Sequence, residues 1–127
     1  MAVWAQNGSF SDTTGIAITT AATYLRGIKV WLEIDETAAD AWLDAWNAAI
    51  GSAVPGTNVP HLRLPLPMAS GIDNKFVYHF RFPMLEFGTG LVVFVSDTAP
   101  YDVSASTELD RIEVYYDLAG VTSNYGG

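Results

Sequence analysis

In the stretch KFVYHFRF, Phe76, Tyr78, Phe80 and Phe82 alternate strictly with Lys75, Val77, His79 and Arg81. A period of two is the pleat of a β-strand, whose successive side chains leave opposite faces. The same rhythm recurs three times. In GIKVWLEID, Ile28, Val30, Leu32 and Ile34 oppose Lys29, Trp31, Glu33 and Asp35. In HLRLPLP, Leu62, Leu64 and Leu66 oppose His61, Arg63, Pro65 and Pro67. In LDRIEVYYDL, Ile112, Val114, Tyr116 and Leu118 oppose Arg111, Glu113, Tyr115 and Asp117. Segments apolar on one face and polar on the other predict half-buried strands of antiparallel sheets, so the chain reads as all-β.

Three segments depart from this rhythm. Pro65 and Pro67 remove two N–H donors from the same side of one strand, which predicts a sheet edge or a corner. GLVVFVS is apolar on both faces, with Leu91, Val93 and Val95 on one and Val92 and Phe94 on the other. Such a strand is covered twice, by its own fold or by another subunit. Gly88 and Gly90 just before it suit a tight corner or a close backbone approach. A phosphate loop does not fit, because GTG lacks the Lys-Ser/Thr ending and opens no helix. The third segment, TAADAWLDAWNAAIG, is ambiguous: Thr37 could cap a helix that Gly51 stops, or a turn could lead into a strand from Ala41 to Ala48.

The 127 residues are enough for one domain that buries its own core. There is no cysteine, hence no disulfide and no thiolate chemistry. The net charge is −8, and the six basic residues, Arg26, Lys29, Arg63, Lys75, Arg81 and Arg111, are spread along the chain. A phosphate backbone calls for clustered cations, so no nucleic-acid partner is expected. No apolar run reaches the roughly 20 residues of a membrane helix, and MAVWAQNGSF has no signal-peptide pattern. Half of the residues are apolar and four are Trp, more than a small monomer readily hides. A homo-oligomer or a larger partner is expected.

No motif nominates a reaction. His61 and His79 lie on polar strand faces, outside any metal-ligand spacing. Ser96, Asp97 and Thr98 lack the strand–turn–helix elbow of a hydrolase nucleophile. Asp35, Glu36, Asp40 and Asp44 do not follow an EF-hand and read as a solvated acidic loop. The expectation is no catalytic residue, no metal and no cofactor. What stands out instead is aromatic residues on outward faces, Trp31 and Tyr115 above all, as found at subunit interfaces and sugar platforms.

The runs TYLRGIKVWLEID, AWLDAWNAA, PGTNVPHLRLPLP and FPMLEFGTGLVVFVSD, closing on IEVYYDL, resemble a group of small tailed-phage virion proteins. The likeness is carried by Leu43, Asp44, Ala45 and Trp46, by Gly56, Thr57 and Pro60, by the Leu-Pro strand, and by the corner at Phe87 and Gly90. It spans about residues 15–118. The resemblance implies one antiparallel, jelly-roll-like β-sandwich of about seven or eight strands. It also implies a strand at Ala41–Ala48, with Leu43 and Ala45 inward and Trp42 and Trp46 outward. Residues 1–14 then read as an N-terminal arm, 15–118 as the sandwich and 119–127 as a flexible tail. By this likeness the chain would be a capsid decoration or cement protein, made in the host cytoplasm and held on the outer surface of the virion. It would act as a homotrimer bridging major capsid subunits, with no membrane or nucleic-acid partner. Its interface candidates are Trp4, Trp31, Trp42, Trp46, Val92, Phe94, Tyr115 and Tyr125. The alternative is a carbohydrate- or receptor-binding module of a head or tail fibre.

Overall fold

The computed structural model describes residues 2–8, 16–32, 41–48, 59–67, 74–80, 85–96 and 109–118. Among these there are nine strands and no helix: β1 (Ala2–Asn7), β2 (Ile16–Thr19), β3 (Thr23–Leu32), β4 (Ala41–Asn47), β5 (Leu62–Leu66), β6 (Asn74–His79), β7 (Glu86–Phe87), β8 (Leu91–Ser96) and β9 (Leu109–Leu118). They form two antiparallel sheets that pack face to face. The first runs β1-β9-β3-β6, with the two-residue β7 also pairing with β3; the second runs β2-β8-β4-β5. The hairpin partners nest outwards from the middle of the chain: β4 with β5, β3 with β6, β2 with β8 and β1 with β9. A long hairpin rolled up in this way, its pairs falling alternately in the two sheets, is a jelly roll.

The alternating segments place their apolar faces between the sheets. Ile28, Val30 and Leu32 of β3 and Ile112 and Val114 of β9 meet Leu43 and Ala45 of β4 and Leu91, Val93 and Val95 of β8, all buried. Ladder geometry explains two local breaks in the period. A bulge at Arg26 lets Leu25 and Ile28 both face inward, and another at Asp110 does the same for Leu109 and Ile112. The proline-bearing β5 is an edge strand, as its missing donors require. Its Pro65 carbonyl accepts a 2.6 Å hydrogen bond from the Tyr78 hydroxyl, which ties the margins of the two sheets together.

The corner before β8 carries the chain from one sheet to the other, since β7 pairs with β3 while β8 lies between β2 and β4. Gly90 passes so close to its neighbours that a Cβ there would sit 2.8 Å from the Thr19 carbonyl oxygen and 2.9 Å from that of Ala48. The corner is held on both sides. Thr89 N–H donates to Asn47 Oδ1 at 2.8 Å, Ala48 N–H to the Gly90 carbonyl at 3.2 Å, and Leu91 N–H to Thr19 Oγ1 at 3.2 Å. Thr19 and Thr23 are themselves joined, hydroxyl to hydroxyl, at 2.6 Å.

Several expectations are met and others corrected. Ala41–Asn47 is a strand, with Leu43 and Ala45 inward. The doubly apolar β8 is covered on both faces within the single chain: Val92 is 1% exposed and Phe94 0%. Trp46 points away from the inter-sheet core as expected, yet it is only 3% exposed. The N-terminal segment is not a detached arm: residues 2–7 pair in unbroken register with β9 and end at Gly8, whose φ of +80° stops the strand. Asp44 does not belong to a solvated acidic loop but is buried opposite Arg63.

Candidate functional site

The outward face of the β1-β9-β3-β6 sheet is the surface on which aromatic and cationic side chains converge. Strand parity sets its membership: Val3, Ala5 and Asn7 from β1, Arg111, Glu113 and Tyr115 from β9, Lys29 and Trp31 from β3, and Lys75, Val77 and His79 from β6. Each described cation on this face has a defined neighbour. Lys75 Nζ lies 5.1 Å from the centre of the Trp31 ring, and Lys29 Nζ lies 5.3 Å from that of Tyr115. Arg111 Nε donates to Glu113 at 2.9 Å and its NH1 to Asn7 Oδ1 at 2.6 Å. The bulged Arg26 lies 3.7 Å from Asp117. Glu113 also accepts a hydrogen bond from the Tyr115 hydroxyl. That bond first, and Arg111 second, hold the Glu113 carboxyl below the usual glutamate range.

Four of the six basic residues of a chain with net charge −8 are therefore gathered on one side of one sheet. Arg26 and Lys29 are near neighbours in sequence, but Lys75 and Arg111 lie far from them, so the sequence shows no cluster of four. Pairing of β3 with both β6 and β9 assembles them. At the centre, Gly27 has no side chain, and the face dips into an open hollow of about 240 Å³ lined by Arg26, Lys29, Tyr78, His79 and Tyr115 around it. A Cβ at Gly27 would lie 3.0 Å from the Tyr78 carbonyl oxygen. Glycine at this bulge thus permits the close approach of β6 and leaves the hollow open.

The interface candidates separate into four groups. Trp31 and Tyr115 lie on this face, half-buried under their lysines. Trp42 lies on the outward face of the other sheet, half-buried, with the Arg63 guanidinium 5.7 Å from its ring centre. Trp46, Val92 and Phe94 are inside the chain and offer no surface to a partner. Trp4 points to the inner side of β1 and packs at the margin of the core, so it is part of the sandwich. Tyr125 lies outside the described residues. Val77 is exposed on the cationic face, where the alternation of its strand puts it, and Val3 is exposed there too, although no alternating pattern announced its strand.

Among the described residues no group of His, Asp and Glu could hold a metal ion. His79 is on β6 and Ser96 on β8, in different sheets. No protein-family model, curated protein or solved structure matches this chain.

Proposed function

We propose that this chain is a structural protein of a tailed-phage virion, a decoration or cement protein that binds the outside of the head and bridges major capsid subunits. The observation that carries the reading is the aromatic and cationic sheet face, set on a jelly roll whose other strongly apolar strand, β8, is already covered. Trp, Tyr and Arg are the side chains that dominate interface energetics, and Trp31, Tyr115 and Arg111 share this surface. Cation–π pairing holds the rings of Trp31 and Tyr115 in fixed positions before contact, at about 0.5–1 kcal/mol for an exposed pair. The role is mechanical: binding across subunit boundaries resists their separation and calls for no catalytic group. The negative charge elsewhere on the chain suits an outer surface that does not meet the genome.

The test is co-sedimentation of the purified protein with heads of its phage prepared without it. Binding by the wild-type chain, lost in Trp31→Ala and Tyr115→Ala variants that keep their circular dichroism, supports the reading. Failure of the folded wild-type protein to sediment with heads overturns it.

A second reading rests on the Gly27 hollow. Its volume is that of a small ligand, and Tyr115 forms one wall, so a carbohydrate-binding module of a head or tail fibre would use the same face. Saturable quenching of Trp fluorescence by a glycan, abolished in Tyr115→Ala, would favour this reading over cement.

A further inference from the structure

We propose that the free edge of β1 is a self-pairing surface that joins two copies of this chain into one continuous sheet across a two-fold axis. A sheet edge is a template for another strand, and proteins ordinarily guard it with charge, proline, a bulge or shortness. Among the described residues the two sheets have four edges, and three of them are guarded. The β5 edge has Pro65, whose carbonyl is already taken by Tyr78. The β6 edge carries Lys75 and His79. The β2 edge is four residues long with an irregularity between Ala17 and Thr19. β1, AVWAQN, has no charge, no proline and no bulge across its six pairs with β9. Among the described residues no strand pairs with its other side.

The hydrogen-bond parity of β1 follows from one contact. Gly8 N–H donates to the Asp110 carbonyl at 2.7 Å, in register with the β1–β9 ladder. In an antiparallel ladder such residues alternate, so Ala2, Trp4 and Gln6 direct their backbone groups to β9. Val3, Ala5 and Asn7 direct theirs to the open edge. A two-fold axis through Ala5 would pair these residues with Asn7, Ala5 and Val3 of a second copy, two hydrogen bonds to each pair. Side chains keep their faces in this register. Val3, 53% exposed, gains a neighbour on the outer side, and Trp4 meets Gln6 of the second copy on the inner side. The uncharged strand is its own complement, because no like charges are set opposite one another. Such a contact is isologous and closes at two copies, where the likeness to trimeric virion proteins implies three.

Parity also supplies a selective probe. The Ala5 N–H makes no bond to β9, so Ala5→Pro deletes a donor from the open edge and none from the fold. Ala5→Lys sets two ammonium groups face to face at the axis while giving each an intramolecular neighbour, because Ala5 is in register with Glu113. Sedimentation velocity of the purified full chain at micromolar concentrations should show a species of twice 13.7 kDa. Both variants should keep the wild-type circular dichroism and weaken association at least about tenfold, or 1.4 kcal/mol. If Ala5→Pro perturbs the fold, Ala5→Lys decides alone. A wild-type monomer, a wild-type trimer, or undiminished association in the folded variants overturns the proposal. The outcome is independent of head binding, which is read in a separate experiment.

Discussion

Asp44 and Arg63 stand directly opposite each other on β4 and β5, and Arg63 donates from Nε and NH2 to the two carboxylate oxygens at 2.7 and 2.8 Å. The carboxylate is 2% exposed. Removing one partner strands the other charge in a poorly solvated site, whereas replacing both with apolar residues removes the desolvation cost along with the attraction. Arg63→Ala should therefore destabilise the fold by about 3–5 kcal/mol. Asp44→Leu combined with Arg63→Met should cost far less than either truncation. Urea unfolding followed by Trp fluorescence measures both, and a double variant as unstable as Arg63→Ala would refute the argument.

Gly88 and Gly90 lie two residues apart in one corner and should respond differently to the same substitution. A Cβ at Gly90 meets two carbonyl oxygens at 2.8 and 2.9 Å, both backbone, so neither can swing away. Gly90→Ala should cost about 1–3 kcal/mol, the usual cost of overpacking. A Cβ at Gly88 meets nothing within 4 Å and its φ is not positive, so Gly88→Ala should lie within about 0.5 kcal/mol of wild type. Thermal melting of the two variants provides the comparison.

The contrast between these glycines also marks what a sequence can disclose. That GTG forms a corner is legible from composition, but which glycine is crowded depends on Thr19 and Ala48, which only the fold brings near. Alternation reveals the inward faces of β3, β6 and β9 because burial on one side imposes period two on the residues themselves. It reports which face a residue occupies and not what covers that face, hence Trp46 is outward and still buried. β1 was illegible for another reason: its partner, β9, lies about a hundred positions away, and six uncharged residues do not show their pairing. The cationic face was hidden likewise, since four separated basic residues become one surface only when β3 pairs with two strands. Pro65 is the opposite case, a single residue whose missing N–H announces an edge without help from its neighbours.

Phe94 is fully buried on the face of β8 that points away from the inter-sheet core. Because that face is covered within the folded chain, Phe94→Ala should lower the stability of the isolated protein by about 3–5 kcal/mol, as for other large aromatic truncations. An interface role would leave the isolated chain's stability nearly unchanged and lower only its association. Chemical unfolding at several protein concentrations distinguishes the two, because a loss confined to association varies with concentration.

Glu113 provides a pH-dependent prediction on the cationic face. The Tyr115 hydroxyl and then Arg111 favour its ionised form and lower its pKa from the ordinary 4.5. A carboxyl depressed in the folded state contributes stability that is present above its unfolded pKa and lost as pH falls through the folded one. The contribution of this residue should thus be intact at neutral pH and disappear only below about 4.5. Tyr115→Phe keeps the ring under Lys29 but removes the donor, so the Glu113 pKa should rise towards 4.5, and the smaller contribution to stability should be fully lost at a higher pH than in the wild type. Arg111→Gln removes both a hydrogen bond and a charge attraction from the carboxylate and should raise the pKa as well. Carboxyl ¹³C titration by NMR reads the pKa directly in each variant. No rise in either variant would refute the assignment, and the larger of the two rises identifies the main organiser of this face.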